Sequence, residues 1–372
     1  MRIGINLLYL LPDIVGGTET YAAGLIKGLA NIDKQNEYYV FVNQSAANWP
    51  IPENENFIRI ICPVEGPIRY RRYLFEQFRL PKLLSQYKID LIHSLGYVCP
   101  LRSPCPSVVT IPDLNYIDVA NTIGTFKRLI LRFFSTQAAK RANHVITISN
   151  FSKERFCKVL HLPAEKITVT LLSTNKKNNI VPSVKPNGLL THYGIEGPYI
   201  VAFGGGAIHK NIPKLIEAFS LLRNRIEHNL VLIGRIPANV KVDGDNINRE
   251  LKGRIIITGY IPEKDIMPML QNADIFVLPS LYEGFGLPVL EAQQAGVPVL
   301  CSNAGSIPEV GGSGALYFDP NSAENIAELI LRCLNDKMLC SRLIKEGAEN
   351  LRKYSWEKTA KETLQVYQSV LG

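Results

Sequence analysis

The stretch Glu283-Gly-Phe-Gly-Leu-Pro-Val-Leu-Glu291 places two carboxylates eight residues apart, with glycines and the start of a helix between them. Pro288 suits the first turn of a helix, where its missing N–H is no loss, and Gly296 is a suitable C-terminal stop. The backbone amides of residues 284–287 would then lie at a helix N-terminus, which favours a phosphate. The sequence therefore predicts an anion site between the two carboxylates.

A carboxylate beside a diphosphate would repel it, so Glu283 and Glu291 are better suited to accept hydrogen bonds from hydroxyl groups. A ligand with hydroxyls on both sides of a diphosphate is a sugar nucleotide. The alternative is an ordinary strand, loop and helix with two solvated glutamates.

The composition of the 372 residues limits the class of protein. No run of 18 apolar residues exists, so a membrane-spanning helix is not expected. The chain has seven cysteines, an odd number, and no C-x-x-C motif. This pattern favours reduced thiols in a cytoplasmic protein over disulfides or a zinc site. His and acidic residues show no metal-ligand spacing, and we predict no metal and no cofactor.

Basic residues are concentrated in the first half of the chain. Residues 1–190 carry 23 Lys and Arg against 13 Asp and Glu, whereas the remainder carries 18 against 20, which suggests an anionic partner for the first half. The segment 69–82 mixes bases with aromatics and could lie on an anionic membrane. A solvated helix with a core-facing aromatic stripe is the alternative. No nucleic-acid-binding module is visible, and we expect no nucleic-acid partner.

In both halves of the chain, strand patterns alternate with helix patterns. This alternation predicts parallel sheets that are covered by helices on both faces. A looser stretch, 175–198, lies between them and is the predicted linker. We expect an N-terminal domain at 1–182, a second domain at 199–354 and a final helix at 355–371.

The glutamate segment resembles the E-x7-E motif of the retaining glycosyltransferases of family 4. Segments 273–280, 296–300, 308–310 and 318–320 match the same family in order and spacing. The resemblance implies the GT-B fold, in which two Rossmann-like, doubly wound α/β domains face each other across a cleft. It also implies that Glu283 contacts the transferred sugar, that Glu291 holds the ribose, and that no metal is needed.

Three sites in the first half also resemble the family. Gly16-Gly17-Thr18-Glu19 resembles its GG-x-E loop, which touches the donor. His93 ends a strand, where the family often has a cleft histidine, although a core histidine is the alternative. The family usually reads Thr-Ile-His-Asp where this chain has Thr110-Ile-Pro112-Asp113, so a carbonyl remains but an imidazole is lost. Asp113 is either a catalytic residue or a helix-cap residue.

In the second half, Lys210 matches the lysine that holds the donor diphosphate. The family arginine just upstream is replaced by glycines that include Gly205, and we predict that His209 or Arg235 compensates for it. Thr258-Gly259-Tyr260-Ile261 resembles the turn whose backbone meets the nucleobase in the family.

The resemblance therefore implies a retaining hexosyltransferase that uses a sugar activated as a nucleoside diphosphate, of the GDP-mannose or UDP-glucose type. The acceptor would be a saccharide or a lipid-linked saccharide, and the protein would be cytoplasmic or peripheral on a membrane. A weakened sugar-nucleotide-binding protein and a nucleotide-sugar epimerase are the alternatives. The predicted catalytic residues are Glu283, Lys210 and Asp113. The predicted acceptor-side residues are His93, Pro112 and Asp113. The predicted donor-binding residues are Gly16, Gly17, Gly205, Lys210, Arg235, Tyr260, Ile261, Glu283, Gly284, Phe285, Gly286, Leu287 and Glu291.

Overall fold

The computed structural model describes residues 1–12, 14, 16–119, 125–174, 188–205, 207–236, 251 and 253–372, with the backbone alone at 125–127. The chain forms two compact units. Unit 1 is Met1–Asn175 with Tyr354–Gly372, and unit 2 is Lys176–Lys353. Most of the predicted linker, residues 175–187, lies outside the described residues.

Unit 1 contains a parallel sheet whose described strands run in the order β3-β2-β1-β4-β5-β6-β7. The strands are β1 Arg2–Leu7, β2 Glu37–Val42, β3 Phe57–Ile61, β4 Leu91–Ser94, β5 Ser107–Thr110, β6 His144–Thr147 and β7 Ile167–Val169. The register pairs Ile3 with Tyr38 on one side of β1 and with Leu91 on the other. The central strands are buried apolar runs, as expected for a parallel sheet that is covered on both faces.

Helices flank this sheet. They are α1 Gly17–Ile32, α2 Arg69–Leu74, α3 Leu80–Gln86, α4 Asn115–Asp118, α5 Thr125–Arg141, α6 Asn150–Leu160 and α14 Trp356–Leu371. A wider π turn, Phe75–Arg79, joins α2 to α3. Ser149 caps the start of α6, because its Oγ accepts from the Ser152 N–H at 3.1 Å.

The last helix, α14, packs against α1. A Cβ placed on Gly24 would lie 2.1 Å from Cε2 of Trp356, so glycine is required where the two helices meet. The indole N–H of Trp356 donates to the Thr174 carbonyl at 3.1 Å, and this bond fixes the start of α14.

Unit 2 contains a second parallel sheet, with described strands in the order β10-β9-β8-β11-β12-β13. The strands are β8 Tyr199–Phe203, β9 Asn229–Ile233, β10 Ile255–Gly259, β11 Ile275–Leu278, β12 Val299–Ser302 and β13 Leu316–Phe318. The helices are α7 Leu189–His192, α8 Ile212–Leu221, α9 Glu263–Gln271, α10 Leu287–Ala295, α11 Ile307–Gly311, α12 Ala323–Asn335 and α13 Lys337–Leu351. Apolar residues of α8 and α12 cover one face of the sheet.

The two parallel α/β sheets confirm the predicted fold class. The helix predicted between the two glutamates also forms, as α10, with Pro288 in its first turn. The helix ends at Gly296, whose φ of 73° is a left-handed conformation that favours glycine.

Candidate active site

The candidate site of unit 2 lies where β8 and β11 end. These strands are neighbours, and the strand order runs outward from them in opposite directions. In open α/β sheets, ligands bind outside the carboxyl ends of the strands at this kind of switch point. The Lys210 loop follows β8 and the Glu283 loop follows β11, so the topology brings together two segments that are 73 residues apart.

An ion pair between Lys210 and Glu283 joins the two loops. The Lys210 Nζ lies 2.8 Å from Glu283 Oε1, and the Ser280 Oγ donates to the same oxygen at 2.7 Å. The two side chains are only 23% and 13% exposed. No described residue donates a hydrogen bond to Glu283 Oε2, so one carboxylate oxygen orients the group and the other can accept from a ligand.

Backbone contacts hold the Lys210 loop in place. The Leu281 N–H donates to the His209 carbonyl at 2.8 Å. The Asn211 side chain donates to the carbonyls of Pro279 at 3.1 Å and Pro320 at 2.7 Å. The lysine therefore projects from a loop that is fixed to the ends of two other strands.

Ser306 supports the Glu283 loop. Its Oγ lies 2.9 Å from the Glu283 carbonyl and 2.8 Å from the Phe285 carbonyl. Gly305 has a φ of +63°, and a Cβ there would lie 2.9 Å from the Glu283 carbonyl. Neither Ser280 nor Ser306 was predicted from the sequence, although Ser280 ends the segment 273–280 that resembles the family.

The segment Gly284–Leu287 turns directly into α10. Gly284, Phe285 and Gly286 are buried, and the N-cap residue Gly286 has a φ of 105° that favours glycine. Helix α10 therefore begins at Leu287, shortly after Glu283 in the sequence. The helix N-terminus, with its partial positive charge, therefore lies only a few residues beyond Glu283 in the sequence.

Glu291 lies one turn inside α10 and is half-buried. Burial, and secondarily the charge of Glu263, raises the pKa of Glu291 to about 7, while Lys210 opposes this rise. No described residue donates a hydrogen bond to its carboxylate. Its two oxygens are therefore available to a ligand.

Two glycines line the other side of the Lys210 loop. A Cβ on Gly205 would lie 3.1 Å from Lys210 Cγ, and one on Gly204 would lie 3.1 Å from the Arg235 carbonyl. Arg235 is exposed and its backbone adjoins this loop, so its role as a substitute arginine stays a prediction. His209 is a poor substitute because burial lowers its pKa and leaves the ring neutral.

Tyr260 and Ile261 follow β10 at the same edge of the sheet. The Gly234 N–H donates to the Gly259 carbonyl at 2.9 Å, which ties the ends of β9 and β10 together. Tyr260 is 75% exposed, whereas Ile261 is buried. Ile261 can therefore offer a ligand only its backbone.

The predicted sites of unit 1 lie at the ends of β1, β4 and β5. Gly16 is the N-cap of α1 with a φ of 57°, Gly17 is the first helical residue, and both are exposed. The Glu19 side chain accepts from the Trp49 indole at 2.9 Å.

The structure corrects the interpretation of His93 as an acceptor-side residue. Its side chain is fully buried, with Nδ1 2.7 Å from the Tyr367 hydroxyl and Nε2 2.7 Å from the Thr110 hydroxyl. Burial lowers the pKa of His93 to about 3. It is a neutral core histidine, which is the alternative that the sequence left open.

Pro112 and Asp113 are also held within unit 1. The Pro112 carbonyl accepts from the Thr147 hydroxyl at 3.1 Å. Asp113 Oδ1 accepts from the Tyr97 hydroxyl at 3.0 Å and from the Asn115 N–H at 3.1 Å. The second bond spans two residues at the start of α4, so the structure favours the capping alternative for Asp113.

Comparisons with known proteins agree with this architecture. The family model "Glycosyl transferases group 1" matches residues 194–350, and the model "Glycosyltransferase Family 4" matches residues 15–170. The O-antigen chain mannosyltransferase B of Escherichia coli is 29% identical, over 94% of this chain and 95% of that protein.

Solved structures show the same fold. The sucrose-phosphate synthase of Thermosynechococcus elongatus has a TM-score of 0.74 at 19% identity, covering 100% of this chain and 99% of that one. The Anabaena protein HepE, solved in complex with UDP-glucose, has a TM-score of 0.73 at 16% identity, covering 99% of this chain and 100% of that one. The two family models, matched in order along both units, establish that this chain belongs to the group 1 glycosyltransferases of family 4, with the GT-B fold.

Proposed function

We propose that this protein is a retaining mannosyltransferase that moves mannose from GDP-mannose to a saccharide or lipid-linked saccharide in polysaccharide biosynthesis. The observation that carries the proposal is the Glu283 carboxylate, which two donors fix through Oε1 while Oε2 has no donor among the described residues. A carboxylate held in this way is preorganised to accept a sugar hydroxyl. The choice of mannose follows the E. coli relative, whose name describes a mannosyltransferase.

Lys210 supports the placement of the diphosphate. An ammonium group has three N–H donors, and Glu283 takes one of them at 2.8 Å. The remaining donors can bind phosphate oxygens while the ion pair persists. The N-terminus of α10 adds partial positive charge on the same side of the sheet.

Glu291 supports the placement of the ribose. It lies on α10, eight residues beyond Glu283, and a diphosphate at the helix N-terminus would leave the sugar on one side and the ribose on the other. Tyr260 and Ile261 follow β10 at the carboxyl edge of the same sheet. A nucleobase could stack there on Tyr260 or bind the Ile261 backbone.

In this mechanism the acceptor hydroxyl attacks the anomeric carbon from the face that the diphosphate leaves. The departing phosphate oxygen takes the acceptor's proton. Lys210 and the α10 amides stabilise the charge that develops on the leaving group, and Glu283 orients the sugar. Because these groups supply the positive charge, we expect turnover to persist in a chelator.

The test is a donor panel of GDP-mannose, GDP-fucose, UDP-glucose and UDP-galactose, with nucleotide release and the configuration of the product as readouts. We expect GDP-mannose to be used with retention. Affinity without turnover would identify a binding protein, and an altered hexose without transfer would identify an epimerase. The Lys210→Met variant tests the proposed diphosphate contact. Lys214→Met is its matched control, because Lys214 pairs with Glu217 on the exposed side of α8.

A further inference from the structure

Two stripes of exposed apolar side chains lie on unit 1, on neighbouring helices. Tyr70, Leu74 and Phe78 recur every four residues along α2 and the π turn, and are 63%, 55% and 67% exposed. Leu129 and Phe133, also four residues apart, are 57% and 56% exposed on α5. Side chains at this spacing share one helix face. We call these five residues the aromatic face.

The two stripes belong to one surface. Tyr73 and Phe134, which adjoin the stripes, stack with their ring centroids 5.0 Å apart. A largely apolar groove of about 720 Å³ runs beside them, and Tyr70, Leu74 and Phe78 line it together with Ile130 of α5. A contiguous exposed apolar surface of this kind marks an interaction site.

The charged side chains around the aromatic face are mostly basic, although Glu65 is exposed in a second groove that Arg71, Leu74 and Phe78 also line. Helix α5 contains five Lys and Arg and no acidic residue, and Arg132 and Arg141 are exposed on it. Arg71 and Arg102 are exposed nearby, and Arg102 and Arg141 line the first groove.

The segment 69–82 has one acidic residue, Glu76, and it is buried. The Arg72 Nε lies 3.8 Å from Glu76 Oε2, so Arg72 faces the core and not the aromatic face. The surface thus combines an apolar centre with a basic surround and no exposed acidic side chain from these two segments.

We propose that the aromatic face docks on an anionic lipid bilayer. Large apolar side chains enter the boundary between headgroups and acyl chains, while surrounding arginines meet the anionic headgroups. Charge complementarity selects this occupant, because a bilayer offers negative charge over the whole width of two helices. No described helix is long and apolar enough to cross a membrane, so the contact is peripheral. The inference does not depend on the donor sugar.

The experiment is sedimentation of the full chain with vesicles of phosphatidylglycerol and phosphatidylcholine in equal parts, against phosphatidylcholine alone. We expect binding to the anionic vesicles that weakens with salt. The variant R71Q/R102Q/R132Q should bind roughly 100-fold more weakly at low salt, from about fivefold per charge. Its matched control is R332Q/K337Q/K345Q, which removes three exposed charges from unit 2 and should bind as the wild type does.

The apolar contribution is tested separately. Leu74→Ser with Phe78→Ser should weaken binding at least tenfold, since both side chains enter the bilayer, whereas Leu221→Ser with Met338→Ser, exposed on unit 2, should not. Unchanged thermal unfolding of each variant shows that the fold persists. Equal binding to neutral vesicles, equal loss in the control variants, or a dimer that the L74S/F78S variant dissociates would each overturn the proposal.

Discussion

Replacing Glu291 with glutamine should remove a pH dependence from GDP binding. Burial and the charge of Glu263 raise the pKa of Glu291 to about 7, and the proposed ribose contact needs the ionised carboxylate as acceptor. Below pH 7 the wild type should therefore bind GDP more weakly, because protonation removes the negative charge and leaves only one of the two oxygens as a full acceptor for a pair of ribose hydroxyls. Glutamine keeps a carbonyl acceptor but does not titrate.

The size of the effect follows from the pKa. With a pKa of about 7, the ionised fraction rises from roughly 0.1 at pH 6 to roughly 0.9 at pH 8, so affinity gains up to about ninefold, or about 1.3 kcal/mol. The raised pKa of Glu291 also makes the free energy of unfolding depend on pH, in the direction opposite to GDP binding. A carboxyl whose folded pKa is raised contributes its full stability below the unfolded value of 4.5 and loses it as pH rises through about 7.

Isothermal titration of GDP at pH 6, 7 and 8 measures this dependence for the wild type, Glu291→Gln and a Glu217→Gln control. The phosphate of GDP also titrates, but it does so for all three proteins and cancels in the ratios. An identical pH profile for the wild type and Glu291→Gln would refute the ribose assignment, as would an unchanged GDP affinity in Glu291→Ala.

Three further results are expected. Glu283→Gln should spare GDP affinity and lower kcat by ten- to thousand-fold, about 1.4–4 kcal/mol, because the carboxylate orients the sugar and not the nucleotide; an equal loss of GDP affinity in titration would contradict this. Arg235→Ala should lower kcat/KM by a similar factor if this exposed arginine replaces the missing one, and near-normal steady-state turnover would reject that role. Gly24→Ala should lower the melting temperature by roughly 2–12 °C, because the added Cβ would overlap the Trp356 ring; calorimetry that shows no shift would contradict the packing of α14 on α1.

The local signals in the sequence were sufficient to predict α10. Pro288 and Gly296 act through the backbone of their own segment, and the helix begins and ends where they indicate. The parallel sheets could also be predicted, because buried runs that alternate with helix patterns leave few other topologies.

Residues whose environment depends on distant segments could not be predicted. The burial of His93 depends on Tyr367, which is 274 residues away in the sequence, so strand-end position alone could not separate a core histidine from a site residue. In the same way, Arg72 resembles its neighbour Arg71 in sequence, but only Arg72 faces the buried Glu76. The contact of Ser280 with Glu283 is local, over three residues, and a search for donors near the carboxylate would have found it.

The affinity of GDP for Lys210→Met tests the central claim most directly, which is that the donor diphosphate binds where β8 and β11 end. Loss of the charged hydrogen bonds of Lys210 should weaken binding by about 1.5–3 kcal/mol, or roughly 10- to 150-fold. Lys214→Met, a little further along the chain and paired with Glu217, should bind GDP as the wild type does. Equal affinities for all three proteins would contradict the account.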